Sequence, residues 1–327
     1  MLEGTLVYSF VGDRTHGNAG LVFFGDIPES DRGAIAKTAV VSVGAENVPS
    51  PSTVFVTAKD IKDYTFDVKF YGPSGDQAPF DGNGIFAAAR AAADRYKIPS
   101  GAKITFIPDP QFGKSAAPQS VRLGVNGAAV SLVMNPVGMR LLSPADPRHA
   151  VLMAAMPGIA KAEVYKTALD DLMVMCPDAK SVRNKTTEFN RAWEKLAELD
   201  PSLYGLVVVA PGKSGLEVTL QSGMGLEAGC CTLGPEVVQL ANRFGILLKS
   251  ASDETSLDLI SPHHVADTGE LGSFTKMRYS QKTGKVSVKV ETSVAGSLYF
   301  DRGDNGAFKQ YSIASAPPPS IVPIKTR

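Results

Sequence analysis

The stretch Asp67-Val-Lys-Phe-Tyr-Gly-Pro-Ser-Gly-Asp-Gln-Ala-Pro-Phe-Asp-Gly-Asn-Gly-Ile-Phe-Ala-Ala-Ala-Arg-Ala-Ala-Ala-Asp-Arg-Tyr96 holds three signals in order. Asp67-Val-Lys-Phe70 alternates as a strand does, and a polar Gly-rich loop follows. Phe80-Asp-Gly-Asn-Gly84 then opens a helix through Tyr96. That helix is so rich in alanine that its neighbours must approach closely, as around a central helix. The same order returns later in the chain. Glu217-Val-Thr-Leu220 is followed by Gln221-Ser-Gly-Met-Gly225, by Ala228-Gly-Cys-Cys-Thr232, and by a helix through Val237-Val-Gln-Leu-Ala-Asn-Arg243. A strand, a Gly-rich loop and a helix, once per half at matching spacing, read as an internal repeat.

Working outward, short β-branched or aromatic runs bounded by Gly, Pro and Asp read as strands. In the first half they are Thr5–Phe10, Leu21–Phe24, Thr53–Val56, Lys103–Ile107 and Ala129–Met134, with the alanine-rich segment as the one clear helix. Asn135-Pro-Val-Gly138 breaks the pattern. Strands resume at Glu163–Tyr165, Leu172–Met175 and Leu206–Val209, and Thr186–Leu199 is an amphipathic helix that places Trp193 in the core. Lys285–Glu291 alternates as a strand with one wet face. The expected fold class is α+β, with two pseudo-symmetric lobes, each a mainly antiparallel sheet or barrel around a central helix. The expected boundaries are 1–136, 137–305 and a C-terminal segment 306–327 that packs back on the first lobe.

A chain of 327 residues suits two domains. Lys plus Arg equals Asp plus Glu at 33 each, which gives no global field for nucleic acid or anionic membrane. No apolar run is long enough to span a bilayer, and Met1-Leu-Glu-Gly4 lacks the basic and apolar regions of a signal peptide. Two of the three cysteines are adjacent, Cys230 and Cys231, and Cys176 is distant. That is no disulfide framework, so a reducing, cytoplasmic setting is expected. No Cys or His spacing suggests a metal site.

The repeat dictates the chemistry to expect. A helix N-terminus carries unpaired N–H groups and partial positive charge. Two such ends facing one cleft make a carboxylate cradle, and groups at the two ends could remove and return a proton on opposite faces of a carbon acid. The candidates are Asp81 in the first half and Cys230 or Cys231 in the second. Counted from the strands, Asp81 matches Cys231, and counted from the helix ends it matches Gly229, with Cys230 between. Gly82, Asn83, Gly84, Gly229, Cys231 and Thr232 would bind the substrate through the backbone. An Asp before a helix is also an ordinary N-cap, a free Cys such as Cys176 is commonly a buried hydrophobe, and Glu227 and His16 read equally as loop residues.

These segments resemble the diaminopimelate epimerase superfamily, nearest its PhzF-like isomerases. Asp13-Arg-Thr-His-Gly-Asn-Ala-Gly-Leu-Val-Phe23 is similar to the family's opening turn, which brings Asn18 into the candidate site. Phe70 to Ala89 is similar to the strand, loop and central helix of its first lobe, and Glu227-Ala-Gly-Cys-Cys-Thr232 to the helix start of its second. Asp81 stands where the epimerases carry a Cys, Ser52 (or Glu46) where PhzF-like proteins often carry a Glu, and Asn83 where they often carry a His. The resemblance implies a cofactor-independent isomerase scaffold acting on a small carboxylate. Asp81 and Cys230 would be unlike acid/base groups, with no metal, nucleic acid or membrane involved. Homodimers are common among the relatives, and no residue here decides that question. The rival expectations are a catalytically silent metabolite binder and a natural-product tailoring enzyme working by elimination or cyclisation.

Overall fold

The structure, a computed structural model, describes residues 1–9, 18–43, 46–50, 52–78, 80–112, 118–125, 127–134, 138–159, 162–168, 170–177, 186–211, 216–222, 225–227, 234–243, 254–261, 273–280, 282–283 and 285–312. The chain divides into two units, one of residues 1–132 with 289–327 and one of residues 133–288.

The first unit contains β1 (Leu2–Ser9), β2 (Asn18–Phe24), α1 (Glu29–Thr38), a small hairpin of β3 (Val40–Val43) and β4 (Glu46–Pro49), β5 (Ser52–Asp60), β6 (Thr65–Tyr71), β7 (Gln77–Ala78), α2 (Gly82–Tyr96), β8 (Lys103–Pro108), β9 (Gln119–Leu123) and β10 (Ala129–Met134). The second contains β11 (Met139–Leu141), α3 (Pro147–Ala155), β12 (Glu163–Thr167), β13 (Leu172–Met175), α4 (Thr186–Leu199), β14 (Gly205–Pro211), β15 (Leu216–Ser222), β16 (Gly225–Glu227), α5 (Gly234–Arg243), β17 (Glu254–Ser261) and β18 (Ser273–Ser280). The long β19 (Val286–Arg302) and β20 (Phe308–Ser312) follow.

Eight strands of the first unit close on themselves in the order β1–β2–β5–β6–β8–β9–β10–β19–β1. Closure removes exposed edges. Two neighbours, β2–β5 and β6–β8, are parallel, and a parallel pair needs a crossover. The α1 segment and α2 supply them. α2 fills the barrel, and eleven of its fifteen residues are buried, which marks a helix enclosed on all sides. Alanine is required there. A Cβ on Gly20 of β2 would lie 2.7 Å from the Ala87 Cβ. Outside the barrel, Ile35 and Ala36 of α1 pack on Leu21, Phe23, Phe55 and Phe300.

The second unit repeats this plan. β12–β13 is antiparallel, β13–β14 parallel, β14–β15 antiparallel, β15–β17 parallel and β17–β18 antiparallel. This is the pairing sequence of β1, β2, β5, β6, β8 and β9. α4 and α5 are its crossovers, and the short hairpin β15–β16 matches β6–β7. The fold is therefore α+β with an internal duplication, as the repeat implies. Phe189, Ala192 and Leu196 of α4 pack with Val174, Leu206, Val208 and the buried Cys176. Trp193 only flanks this core, half-buried. Among the described residues no helix is long and apolar enough to cross a membrane.

Some elements depart from the sequence reading. The first half holds a second helix, α1, besides α2. β19 runs on to Arg302, and its residues 292–300 pair with β1, so residues 289–302 lie in the first unit where the sequence reading carries the second lobe to 305. The closed barrel needs that strand as its eighth stave.

Charge fixes the start of α3. Asp146 caps it by accepting from the Arg148 N–H, and it also takes the Arg148 guanidinium at Nε (2.9 Å) and Nη2 (2.7 Å). Arg148 Nη1 reaches Asp200, just past α4, at 2.9 Å. The Arg148 hydrogen bonds hold the Asp146 carboxyl at about 2, below its usual 3.8. A depressed carboxyl contributes stability above its unfolded pKa and loses it as pH falls through the folded value, here on the order of 2 kcal/mol. Asp146→Asn keeps the cap and is expected to cost about 1–2 kcal/mol at pH 7. The gap in urea midpoint should close as pH falls from about 4 to 2. A gap that does not change with pH would contradict this account.

Candidate active site

Buried polar side chains line part of the barrel's inner face, and those of Ser52 and Asn83 meet at the start of α2. Pairing register explains how. Val7 pairs with Gly20, and Ser9 with Asn18. Gly20 also pairs with Ser52. Gly20 faces α2, so by strand alternation Ser9, Asn18 and Ser52 share the inner face. Thr292 pairs with Ser9 from the other side. Ser9, Asn18, Ser52, Asn83 and Thr292 are all buried. The inner face elsewhere carries Val54, Val56, Phe66, Val68 and Phe70. A barrel needs no polar collar for stability, because buried polar groups cost free energy unless they are bonded.

Asp81 is the N-cap of α2. Its φ is −144° and its ψ 110°, and its Oδ1 accepts from the Gly84 N–H at 2.9 Å. The Asn83 backbone N–H and the Ser52 hydroxyl also donate to this carboxyl. Burial pushes its pKa up, and these three donors pull it back in part. Ser52 Oγ in turn accepts from Asn83 Nδ2 at 2.8 Å, and the same nitrogen donates to the Ala19 carbonyl at 2.9 Å. Since a carbonyl can only accept, this bond fixes which way the Asn83 amide is turned. The result is a chain of hydrogen bonds from Ala19 through Asn83 and Ser52 to Asp81.

Asp81, Ser52, Asn83 and Gly84 are thus joined by hydrogen bonds, with Gly82 opening the same helix and Asn18 on the same inner face of the barrel. The role expected of the α2 N–H groups changes, however. Two of them, on Asn83 and Gly84, donate to Asp81, so the side chain of this chain itself fills the anion cradle that was expected to hold a ligand carboxylate. Ser9 and Thr292 carry no motif and are found only through strand parity.

In the second unit, α5 begins at Gly234, seven steps after Glu227, whereas α2 begins four steps after Ala78, its counterpart in the hairpin. Counted from the helix start, Asp81 matches Leu233, and Cys230 stands four residues before the helix. His16, Gly229, Cys230, Cys231 and Thr232 lie outside the described residues. Glu227 ends β16, paired with Leu220, and its side chain lies outside them too. Glu46 pairs with Val43 in the β3–β4 hairpin.

No protein-family model and no curated protein sequence matches the chain. Solved structures match it along almost its whole length. A PhzF-family phenazine biosynthesis protein from Enterococcus faecalis superposes with a TM-score of 0.64 at 15% identity, covering 90% of this chain and 97% of that one. A predicted epimerase from Pseudomonas aeruginosa gives 0.61 at 12% identity, over 91% and 98% of the two chains. A hydroxyproline epimerase from Agrobacterium vitis, with trans-4-hydroxy-L-proline bound, gives 0.55 at 10% identity over 90% of each. The chain has the diaminopimelate epimerase-like fold.

Proposed function

We propose that this protein is an isomerase that moves a proton on a small carboxylate-bearing substrate, by 1,3-shift, cis–trans isomerisation or epimerisation. Asp81 is one acid/base and Cys230 the other, and no metal or organic cofactor takes part. The observation that carries the proposal is the half-buried Asp81, its carboxyl pKa raised by desolvation, set at a helix start beside the buried Ser52 and Asn83. Desolvation raises the carboxyl's pKa above its ordinary value, which makes it a better proton acceptor than a solvated carboxylate. Ser52 and the Asn83 and Gly84 N–H groups orient it and support its charged form. Residues 229–232 supply the ligand's carboxylate contacts in this proposal. Epimerases among the proteins of the same fold agree with proton transfer as the reaction class.

One observation favours a second reading. Asp81 is a geometrically sound N-cap, a role that requires no chemistry. On that reading the chain binds a metabolite without turning it over.

Deuterium uptake from heavy water separates the two. The panel is unsaturated tricarboxylates, α-amino acids and cyclic β,γ-unsaturated acids, with wild type beside Asp81→Asn and Cys230→Ala. Uptake at one carbon, lost in both variants, is the expected result. Uptake that survives both substitutions removes the assigned pair, and binding with no uptake in wild type supports the silent binder.

A further inference from the structure

At the α2 start of the barrel, the donors of the Asn83 side chain and of the Asn83 and Gly84 backbone are engaged within the protein, and the Asn83 acceptor is left over. The Asn83 amide donates to Ala19 and Ser52, and the Asn83 and Gly84 N–H groups donate to Asp81. Asn83 Oδ1 has no partner, though the residue is only 7% exposed. Ser9 Oγ has none either, at 0% exposure. A buried polar atom left unbonded costs about 1–3 kcal/mol. Two of them on the same inner collar are a standing cost that a ligand would relieve.

We infer that this end of the site binds a hydrogen-bond-donating group of the ligand, a hydroxyl or an N–H, rather than its carboxylate, with Asn83 Oδ1 as the acceptor and Ser9 Oγ, on the same inner face of the barrel, as a second polar contact. The inference deepens the proposed function by adding a donor to the carboxylate substrate class. A carboxylate is rejected at Asn83 Oδ1, which can only accept, and is disfavoured by the Asp81 charge already at the helix start, although the Ser9 hydroxyl could donate to one. A site built to bond a donor discriminates strongly against an analogue that lacks it, because the acceptor is then left buried and bare.

The test is calorimetric binding of matched acids to the full-length protein: lactate and propionate, 3-hydroxybutyrate and butyrate, proline and cyclopentanecarboxylate. Wild type is expected to bind at least one donor-bearing member about tenfold or more tightly than its partner. Ser9→Ala should shrink that preference without lowering Tm, because it removes a buried hydroxyl that bonds nothing in the protein. Equal affinities within every pair, no binding by any donor-bearing acid, or an unchanged preference in Ser9→Ala would each overturn the inference. Binding is read without turnover, so the outcome is independent of deuterium uptake. A donor preference without uptake removes the isomerase and keeps the subsite, and uptake without a preference does the reverse.

Discussion

Asp81→Asn is expected to reduce enzyme-dependent deuterium uptake by about 10²- to 10⁴-fold, the usual contribution of a positioned acid/base group. The same substitution should leave the fold intact or firmer. Asn caps helices about as well as Asp, and its Oδ1 can keep the Gly84 N–H bond made at 2.9 Å. The pH dependence has a definite sign. Burial raises the Asp81 pKa in the folded protein, so the wild-type carboxyl favours folding below its unfolded pKa, and that contribution is lost as pH rises through the folded value. The Asn variant should therefore gain on wild type between acid and neutral pH, opposite in direction to Asp146→Asn. Asp81→Ala is the contrast. It removes cap and acid together, at about 1 kcal/mol for the cap. If Asn and Ala cost the same stability while uptake stays at the wild-type rate, Asp81 is neither an acid/base nor a meaningful cap.

Much of the fold can be read from periodicity and composition because the repeated unit carries its own signals. Asp67–Phe70 alternates, and α2 is small and apolar over most of its length, so both the strand and the enclosure of the helix are visible in the residues. α1 is harder to see. Its ten residues include Gly33 and bury only Arg32, Ile35 and Ala36. The glycine has a tertiary reason, since a Cβ there would lie 2.8 Å from the Gly75 carbonyl oxygen. Tertiary packing overrides helix propensity at that point. β19 reads as a strand only to Glu291, because Gly296, at a φ of +143°, interrupts the alternation that pairing with β1 carries through.

The site divides along the same line. Asp81 and Asn83 stand in one motif, but their side chains are linked through Ser52, 31 residues before Asn83. Only the parallel pairing of β2 with β5 over α2 joins them. The direction of the Asn83 amide follows from the Ala19 carbonyl, a backbone group that no motif reports. An N–H cradle can be inferred from a glycine-rich helix start, but whether it is free depends on where one side chain points.

The largest expected loss of stability lies at Gly20, where the barrel wall meets its central helix. In Gly20→Ala the new Cβ would stand 2.7 Å from the Ala87 Cβ, against an ordinary carbon–carbon contact of about 3.5–4.0 Å. Neither atom can turn away, since both are bonded directly to backbone. β2 is held by β1 and β5, and α2 is enclosed, so the strand and helix must separate or tilt together. Overpacking in a core costs about 1–3 kcal/mol, and a site with no rotatable side chain belongs at the upper end. Tm should fall by roughly 5–10 °C. The site should suffer as well, because Asn83 Nδ2 and Ser52 Cβ each lie 3.8 Å from the added carbon. The cause can be isolated with Ala87→Gly, which alone costs about 1 kcal/mol of helix propensity. If the clash is the reason, the double variant is more stable than Gly20→Ala despite carrying a second unfavourable change, and urea unfolding of the four proteins shows the double loss to be smaller than the sum of the single losses. Additive losses would mean that the close approach of β2 to α2 does not set the dimensions of the barrel.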